Sequence, residues 1–380
     1  MKTLYFMSMA LKPICDFIRF FKIDKRNRNI VFYSENESFY NFFSGMIDIL
    51  TNHYDKTIYY VTSSPSDPIL STTNKRIIPF YIGAGSIRTI FFALYNSPLM
   101  ILTMTDLNIF HIKRSPHKVN YIFVPHNILS IHMVFRKKAF NYYDTFFCAG
   151  PHHNKEIEET KKIYQLENIK TFNFGYSKID QLLRNKNKNL NNAKTEKILI
   201  VAPSWGNNCI LEKYGEALLS ILVTSKWRII IRPHPDTVRL FKNEYSKLKN
   251  KYVKSFQFEE NISGMESFHK ASIMISDWSG AALEFAFGLE KPVIFIDVPK
   301  KINNQDYKLY ENMPIEISLR SKLGEVVPIS EIASINNKID YVFENRETYR
   351  QAIIKERVRG LYNVGNSSAR GADYINKLAT

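Results

Sequence analysis

A run of small polar residues, Ser276–Ala286, contains the side chains best suited to hold a phosphate. It follows the apolar stretch Ile273–Ile275, which predicts a strand, and it opens a predicted helix. Backbone N–H groups at such a turn can face an anion, with the positive end of the helix behind them. The equally open alternative is an ordinary helix cap, with Glu284 on a solvated face. The candidate residues of the turn for binding a nucleotide or its phosphates are Ser276, Asp277, Ser279, Gly280 and Glu284.

A second candidate group, Arg232–Pro235, follows the predicted strand Trp227–Ile231 directly. Two prolines restrict the backbone on both sides of His234. An imidazole held at the carboxyl end of a strand can donate a hydrogen bond to a phosphate or a leaving group. We therefore predict a catalytic role for His234 and donor binding by Arg232, although a lone histidine is more often structural.

The third group, Val124–Asn127, ends an apolar run in the first half of the chain. His126 is therefore expected to face a cleft from the side opposite His234. One imidazole on each wall suits a general base for an acceptor hydroxyl, His126, and an electrophilic partner for a departing phosphate, His234. His132, in the helix predicted to follow, is the alternative base.

Several signatures of other chemistry are missing from the sequence. It contains no Asp-x-Asp pair, no Walker loop and no His-Glu-x-x-His motif. Three widely spaced cysteines support neither a disulfide framework nor a zinc knuckle. We therefore expect no metal and no other cofactor, with turnover that survives a chelator.

Short apolar runs alternate with helical periodicity along the chain, which predicts an α/β fold with mostly parallel sheets. We predict two Rossmann-like, doubly wound domains, residues 29–184 and 196–380, facing a cleft, with the last helix folding back. The Asn- and Lys-rich stretch 185–195 is the predicted linker. The predicted strands are Asn29–Tyr33, Thr57–Thr62, Arg76–Phe80, Leu99–Met104, Asn120–Pro125, Thr145–Ala149, Lys170–Phe174, Lys197–Ala202, Trp227–Ile231, Tyr252–Phe256, Ser272–Ser276 and Pro292–Ile296. The main predicted helices are Ser38–Asn52, Ser86–Asn96, Ile128–Ala139, Asn154–Tyr164, Ile210–Val223, Val238–Lys249, Ser279–Leu289, Ile329–Phe343, Glu347–Val358 and Ala369–Leu378.

The chain is basic, with a net charge of +16 over 380 residues. That charge favours an anionic partner, but no zinc finger, RNP signature or long basic arm points to nucleic acid. Residues 1–28 mix aromatic, aliphatic and basic side chains without forming a spanning segment. They predict an amphipathic helix that lies on an anionic membrane surface, with packing on the domain as the alternative.

Three stretches together resemble the CDP-glycerol glycerophosphotransferase family, which makes teichoic-acid polymers on a GT-B fold. The family's Arg-x-His-Pro element, its Ser/Thr-Asp-x-Ser-Ser turn with a following acidic residue, and its Lys-Pro strand are similar to Arg232–Pro235, Ser276–Gly280, Glu284 and Lys291–Phe295. Its Gly-x-Pro-Arg-x-Asp and C-terminal Arg motifs resemble Gly175–Asp180 and Gly365–Arg370. The resemblance adds Gly175, Lys178, Asp180, Ser367 and Arg370 as possible site residues.

The chain also departs from the family's pattern at three places. The family's Trp-His-Gly-Thr-Pro-Leu-Lys is reduced to Pro125-His126-Asn127, Gly280 replaces the second Ser, and Glu284 stands where Asp is usual. The resemblance therefore implies the type of reaction better than the substrate. It implies a cytoplasmic enzyme, peripheral on the inner membrane face, that moves a polyol phosphate from a CDP-linked donor to a hydroxyl of a membrane-linked glycan. The alternatives are a glycosyltransferase using a CMP- or UDP-sugar, and a non-enzymatic polyanion- or lipid-binding protein.

Overall fold

The computed structural model describes residues 2–189, 197–260 and 265–379, with side chains from residue 11 onward except 186–189. Two parallel sheets organise these residues, as the alternating pattern predicts. The first has the order β3-β2-β1-β4-β5-β6-β7 and the second β10-β9-β8-β11-β12-β13. The strands are β1 Ile30–Ser34, β2 Ile58–Thr62, β3 Ile77–Tyr81, β4 Leu99–Leu102, β5 Asn120–Phe123, β6 Thr145–Cys148, β7 Lys170–Asn173, β8 Ile198–Val201, β9 Arg228–Ile231, β10 Gln257–Phe258, β11 Ile273–Ser276, β12 Val293–Asp297 and β13 Gly324–Pro328.

Helices cover both faces of each sheet, because strands buried on both sides need apolar partners above and below. Four clusters of buried apolar side chains fill the spaces between the layers. The α-helices are α1 Lys2–Lys22, α2 Tyr40–Asn52, α3 Ser86–Leu94, α4 Ile131–Val134, α5 Pro151–Tyr164, α6 Ser177–Asn189, α7 Gly215–Leu222, α8 Pro235–Leu240, α9 Lys242–Tyr252, α10 Glu266–Lys270, α11 Gly280–Leu289, α12 Ile315–Leu323, α13 Ile335–Glu344, α14 Arg346–Gly360 and α15 Ser367–Leu378.

The structure differs from the sequence predictions at several elements. The predicted strand Tyr252–Phe256 is the end of α9 and the turn after it, where the two aromatic rings stack 5.9 Å apart in the core. The predicted helix Ile128–Ala139 is reduced to the single turn α4. Both β13 and α6 were missed, and α6 runs into the predicted linker as far as Asn189. The rest of the predicted linker, 190–195, lies outside the described residues.

The N-terminal segment packs on the first domain through one face of α1. Phe20 is fully buried, and Asp16 accepts a hydrogen bond from the Tyr81 backbone N–H at 2.8 Å. The described part of this segment therefore packs on the domain, which is the alternative that the sequence left open, and association with a membrane stays a prediction. The other face still exposes Leu11 and Ile14. Among the described residues, no helix is long and apolar enough to cross a membrane.

The C-terminal helix returns to the first domain. Ala372 and Ile375 of α15 are fully buried in the apolar cluster that also contains Phe43 and Met46 of α2. The chain therefore crosses between the domains twice, and the second crossing helps to hold them against each other.

Candidate active site

The carboxyl edges of both sheets supply the loops of the candidate site. Strand order reverses between β1 and β4 in the first sheet and between β8 and β11 in the second. In open α/β sheets a crevice forms at the carboxyl end of the strands where the order reverses, and ligands bind there. The loop carrying His126 follows β5, and the loops carrying His234 and Ser279 follow β9 and β11.

The turn before α11 is a capped helix N-terminus, as predicted. Ser279 Oγ accepts a hydrogen bond from the Ala281 N–H at 3.3 Å, and Gly280 is the first helical residue. With its side chain used for capping, Ser279 leaves the other N–H groups of the first turn to meet an anion.

Two residues of the same turn have structural partners instead of facing the cleft. Ser276 Oγ donates to the carbonyl of Ala202 at 2.8 Å. The Asp277 carboxylate accepts from the N–H groups of Ser204 at 2.7 Å and Ile210 at 3.2 Å. Ser276 and Asp277 thus support the loop after β8, and their predicted contact with the donor stays a prediction.

Gly280 lies directly against the first domain. A Cβ atom at this position would be 2.7 Å from Asn127 Oδ1, closer than real side chains approach. Asn127 Oδ1 already accepts from the Leu129 N–H at 2.9 Å, which fixes the amide. In the family that this chain resembles, Ser stands at the position of Gly280 and Gly at the position of Asn127. The contact explains why a larger residue at 127 is accompanied by a Gly at 280 in this chain.

Glu284 connects the two domains. Its carboxylate accepts a hydrogen bond from the Tyr176 hydroxyl at 2.7 Å and pairs with Lys178 Nζ at 2.6 Å. The side chain is buried and both oxygens are engaged. Glu284 and Lys178, predicted separately, therefore meet, and a ribose contact to Glu284 would have to replace one of these partners.

Arg232 is also buried and engaged. Its guanidinium pairs with Glu259 at 2.9 Å and donates to Ser267 Oγ at 3.0 Å. It also lies 4.9 Å from the Phe268 ring centroid. These contacts anchor the loop that carries His234, and direct binding of the donor by Arg232 stays a prediction.

His234 is held in a single neutral tautomer. Its Nδ1 accepts a hydrogen bond from the Asp236 N–H at 3.1 Å, so the proton of the neutral ring must reside on Nε2. Burial lowers the pKa of His234 to about 4, with Lys301 adding to this effect and Asp236 opposing it. The result is a neutral N–H donor, 37% exposed in its side chain, at the carboxyl edge of the second sheet.

Two neighbours of His234 were missed by sequence reasoning. The Trp205 ring lies 6.0 Å from the His234 ring, and Lys301 Nζ lies 4.0 Å above the Trp205 ring centroid. Burial lowers the pKa of Lys301. The available signal was positional, since Trp205 and Lys301 each follow a predicted strand, as His234 does.

His126 lies in an aromatic enclosure on the opposite wall. The rings of Phe39, Phe123 and Phe135 lie 5.2, 6.1 and 5.6 Å from its own. Burial lowers the pKa of His126 to about 4, so the imidazole is neutral at physiological pH. A neutral imidazole can accept a proton, as the predicted role requires.

The loop after His126 is clamped by carboxylates from both domains. Glu316 of α12 accepts from Ser130 N at 2.9 Å and Ser130 Oγ at 2.6 Å, and Glu156 accepts from Ile131 N at 2.6 Å. These bonds satisfy backbone N–H groups that a longer helix would otherwise satisfy. The helix predicted over Ile128–Ala139 is therefore only the single turn α4.

His132, the alternative base, lies inside this clamp. Its Nδ1 is 3.3 Å from Glu156, its ring stacks on Tyr310 at 4.7 Å, and only 2% of the residue is exposed. A substrate hydroxyl could not reach it without opening the core. The structure therefore corrects His132 from a possible base to a packing residue.

The motif Gly175–Asp180 and the C-terminal motif Gly365–Arg370 meet in one junction. The Asp180 carboxylate accepts from Gly365 N at 2.6 Å and from Ser367 N at 2.7 Å. Gly175 has φ +99°, and a Cβ there would collide with Ser367. Gly175, Asp180 and Ser367 are thus structural, whereas the side chain of Arg370 is exposed on α15.

Two parallel α/β sheets, with the candidate loops at their carboxyl edges, form the architecture of a GT-B fold. The sequence profile described as CDP-glycerol:poly(glycerophosphate) glycerophosphotransferase matches residues 17–375. The chain belongs to this family of CDP-glycerol glycerophosphotransferase-like enzymes.

One curated relative and several solved structures are similar to this chain. The minor teichoic acid biosynthesis protein GgaB of Bacillus subtilis (strain 168) is 26% identical over 36% of this chain, a match that spans 18% of GgaB. A variant of the wall teichoic acid polymerase TagF superposes with a TM-score of 0.60 at 12% identity, covering 100% of this chain and 96% of that one. The MnaA–UDP structure from S. aureus superposes with a TM-score of 0.58 at 10% identity, covering 92% of this chain and 96% of that one. The two structures show the shared fold.

Proposed function

We propose that the chain transfers glycerol phosphate from CDP-glycerol to a hydroxyl of a membrane-linked glycan or polymer. The observation that carries this proposal is the pair of neutral imidazoles, His126 and His234, on opposite walls of one cleft. Support for the donor comes from the family description and from TagF, whose structure after a CDPG soak shares this fold with a TM-score of 0.54.

In the proposed reaction the acceptor oxygen attacks the β-phosphorus of the donor. A new P–O bond forms as the bond from the β-phosphorus to the bridging oxygen breaks, and CMP leaves with that oxygen. His126 takes the proton of the attacking hydroxyl. The N–H of His234 and the N-terminus of α11 stabilise the charge that develops on the leaving phosphate.

Incubating the protein with CDP-glycerol and a lipid-linked glycan acceptor tests the proposal. We expect CMP and a product heavier by one glycerol phosphate, formed in equal amounts and at an unchanged rate in EDTA. Metal independence is expected because the helix dipole at the N-terminus of α11 and the imidazoles are proposed to stabilise the diphosphate charge.

Three outcomes would contradict parts of this scheme. Release of UDP from a UDP-sugar, or transfer of a sugar from a CMP-sugar, would establish a glycosyltransferase instead. Complete loss of turnover in EDTA, restored by magnesium or manganese, would contradict metal independence. Tight, salt-dependent binding to polyanions without any nucleotide binding would favour the non-enzymatic alternative.

We also propose that the enzyme acts from the cytoplasm, bound peripherally to the inner membrane face through α1. Leu11, Ile14 and Ile18 are 54%, 45% and 46% exposed on this helix, next to basic side chains such as Lys12. Basic amphipathic helices with exposed aliphatic residues bind anionic bilayers. The buried face of α1 rules out a simple deletion as a test, since Phe20 belongs to the core.

Replacing Leu11, Ile14 and Ile18 together with Asp should lower co-sedimentation with anionic liposomes by at least about 10-fold, because three aliphatic contacts are lost. CDP binding should persist. The matched control replaces three exposed apolar residues of the second domain with Asp, namely Leu240, Val253 and Val358. Equal loss of liposome binding in both triple variants would argue for non-specific charge effects and against a surface anchor in α1.

A further inference from the structure

A cavity of about 510 Å³ is lined by residues of both domains, and two of these residues contact the candidate histidines. Phe135 lines it, and its ring lies 5.6 Å from the His126 ring. Trp205 lines the other side, and its ring lies 6.0 Å from the His234 ring. Each imidazole is therefore in ring contact with one residue that lines the cavity.

The cavity occupies the switch point of the first sheet. The strand order reverses between β1 and β4. Glu35 directly follows β1, and Thr105 and Asp106 lie in the loop after β4. Ligands of open α/β sheets bind at such a crevice. Most of the wall belongs to the first domain, on the side opposite the capped N-terminus of α11.

Three cationic or potentially cationic side chains line the cavity. Arg88 Nη2 lies 3.1 Å from His111 Nε2, while the buried Arg88 Nε has no hydrogen-bond partner among the described residues. Arg136 is exposed on the cavity wall, with its guanidinium 5.5 Å from the Phe110 ring centroid. Guanidinium groups bind phosphate oxygens through paired N–H donors.

Two carboxylates face the same space. Burial raises the pKa of Glu35 to about 7, an effect that Arg88 opposes and Asp106 reinforces. Asp106 Oδ1 is buried without a hydrogen-bond partner among the described residues. Carboxylate oxygens accept hydrogen bonds from hydroxyl groups, and an unpartnered buried oxygen is costly until a ligand satisfies it.

We propose that this cavity binds the growing end of the acceptor as a polyol phosphodiester. Arg88 and Arg136 contact the diester oxygens, Glu35 and Asp106 accept hydrogen bonds from the polyol, and the terminal hydroxyl lies beside His126. The inference rests on the proposed function, since it names the acceptor chemistry of that reaction and assigns its residues.

Calorimetry with glycerophosphoglycerol, a small polyol phosphodiester, tests the assignment on the full chain. Arg88→Gln and Arg136→Gln should each lower the affinity for the diester about 10–100-fold, because each loses hydrogen bonds to a charged group. The control, Lys113→Gln, removes an equal charge from an exposed side chain that does not line the cavity, in the segment between β4 and β5 that also carries Asp106. It should leave binding within about 2-fold. In turnover, the KM for the acceptor should rise in the two arginine variants while the KM for CDP-glycerol stays unchanged.

Further arms separate the possible failures. Diester binding that is absent, or equal in all variants, overturns the assignment, and Arg136→Gln decides this even if Arg88→Gln unfolds, because Arg136 is exposed. Inorganic phosphate serves as a second probe. If it binds as tightly as the diester, with the same dependence on the two arginines, the cavity is an unspecific anion site, and this outcome also overturns the assignment to a polyol phosphodiester. Arginine-dependent diester binding without any turnover of CDP-glycerol would uphold the cavity and reject the proposed donor.

Discussion

Replacing His126 with Ala should lower kcat by about 10²–10⁴-fold, the usual effect of losing a general base. The affinity for CDP-glycerol should hardly change, because the donor phosphates are expected on the second domain, at His234 and the α11 N-terminus. A steady-state assay that varies donor and acceptor separately, with calorimetry of CDP binding, measures both quantities.

The pH profile adds a second test of His126. Because burial lowers the pKa of the imidazole to about 4, its base form predominates at every pH well above that value. His126-dependent activity should therefore persist from pH 8 to about pH 5 and fall only as the pH approaches 4. An acid limb with a midpoint near 6.5 would show a solvated imidazole or a different base.

A matched control is available in His117, which is exposed in a loop of the same domain. His117→Ala should retain full activity, and the melting temperature of His126→Ala shows whether the loop still folds. Full activity in His126→Ala together with a folded but inactive His132→Ala would reverse the assignment. The burial of His132 against Glu156 and Tyr310 makes us expect loss of stability there instead.

Replacing His234 with Asn should lower the affinity for CDP-glycerol by about 10–100-fold and also slow turnover. Asn is chosen because its side-chain oxygen can replace Nδ1 as the cap of α8, so that the N–H of Nε2 is the principal loss. A hydrogen bond to a charged group contributes about 1.5–3 kcal/mol, which sets the expected range. Calorimetric titration with CDP measures the affinity without turnover.

The pH dependence of donor binding distinguishes two versions of this role. A neutral His234, with its pKa lowered to about 4, donates equally well from pH 5 to pH 8, so its contribution to affinity should be constant there. An imidazolium would instead lose affinity as the pH rises through its pKa. Unchanged CDP affinity in His234→Asn, with normal folding, would remove His234 from the donor site.

Local features of the candidate site could be predicted from sequence because short-range geometry decides them. A Ser before a Gly–Ala run caps a helix wherever the helix packs, so Ser279 caps α11. His234 follows a strand of continuous apolar residues and precedes a Pro at the first helical position. Strands buried on both faces also show as apolar runs, which is why twelve predicted runs include only one that is not a strand.

The roles of charged residues could not be predicted, because their partners are distant in the sequence. Arg232, Asp277 and Glu284 have suitable types and spacing for donor binding, yet all three form hydrogen bonds or ion pairs with residues that are distant in the sequence. The short helix at Ile131 has the same origin, since Glu316 lies 186 positions from the Ser130 it holds.

By itself the sequence determined the two α/β halves, the capped turn at Ser279 and the histidines at the strand ends, because periodicity, capping and strand-end placement are local properties of the chain. Only the tertiary structure decided which of the candidate residues meet. Glu35, Arg88 and Asp106 come from separate β/α units, and the order of the first sheet brings β1 beside β4 and so places them around one cavity. Sheet order follows from packing of the whole chain, which no local pattern records.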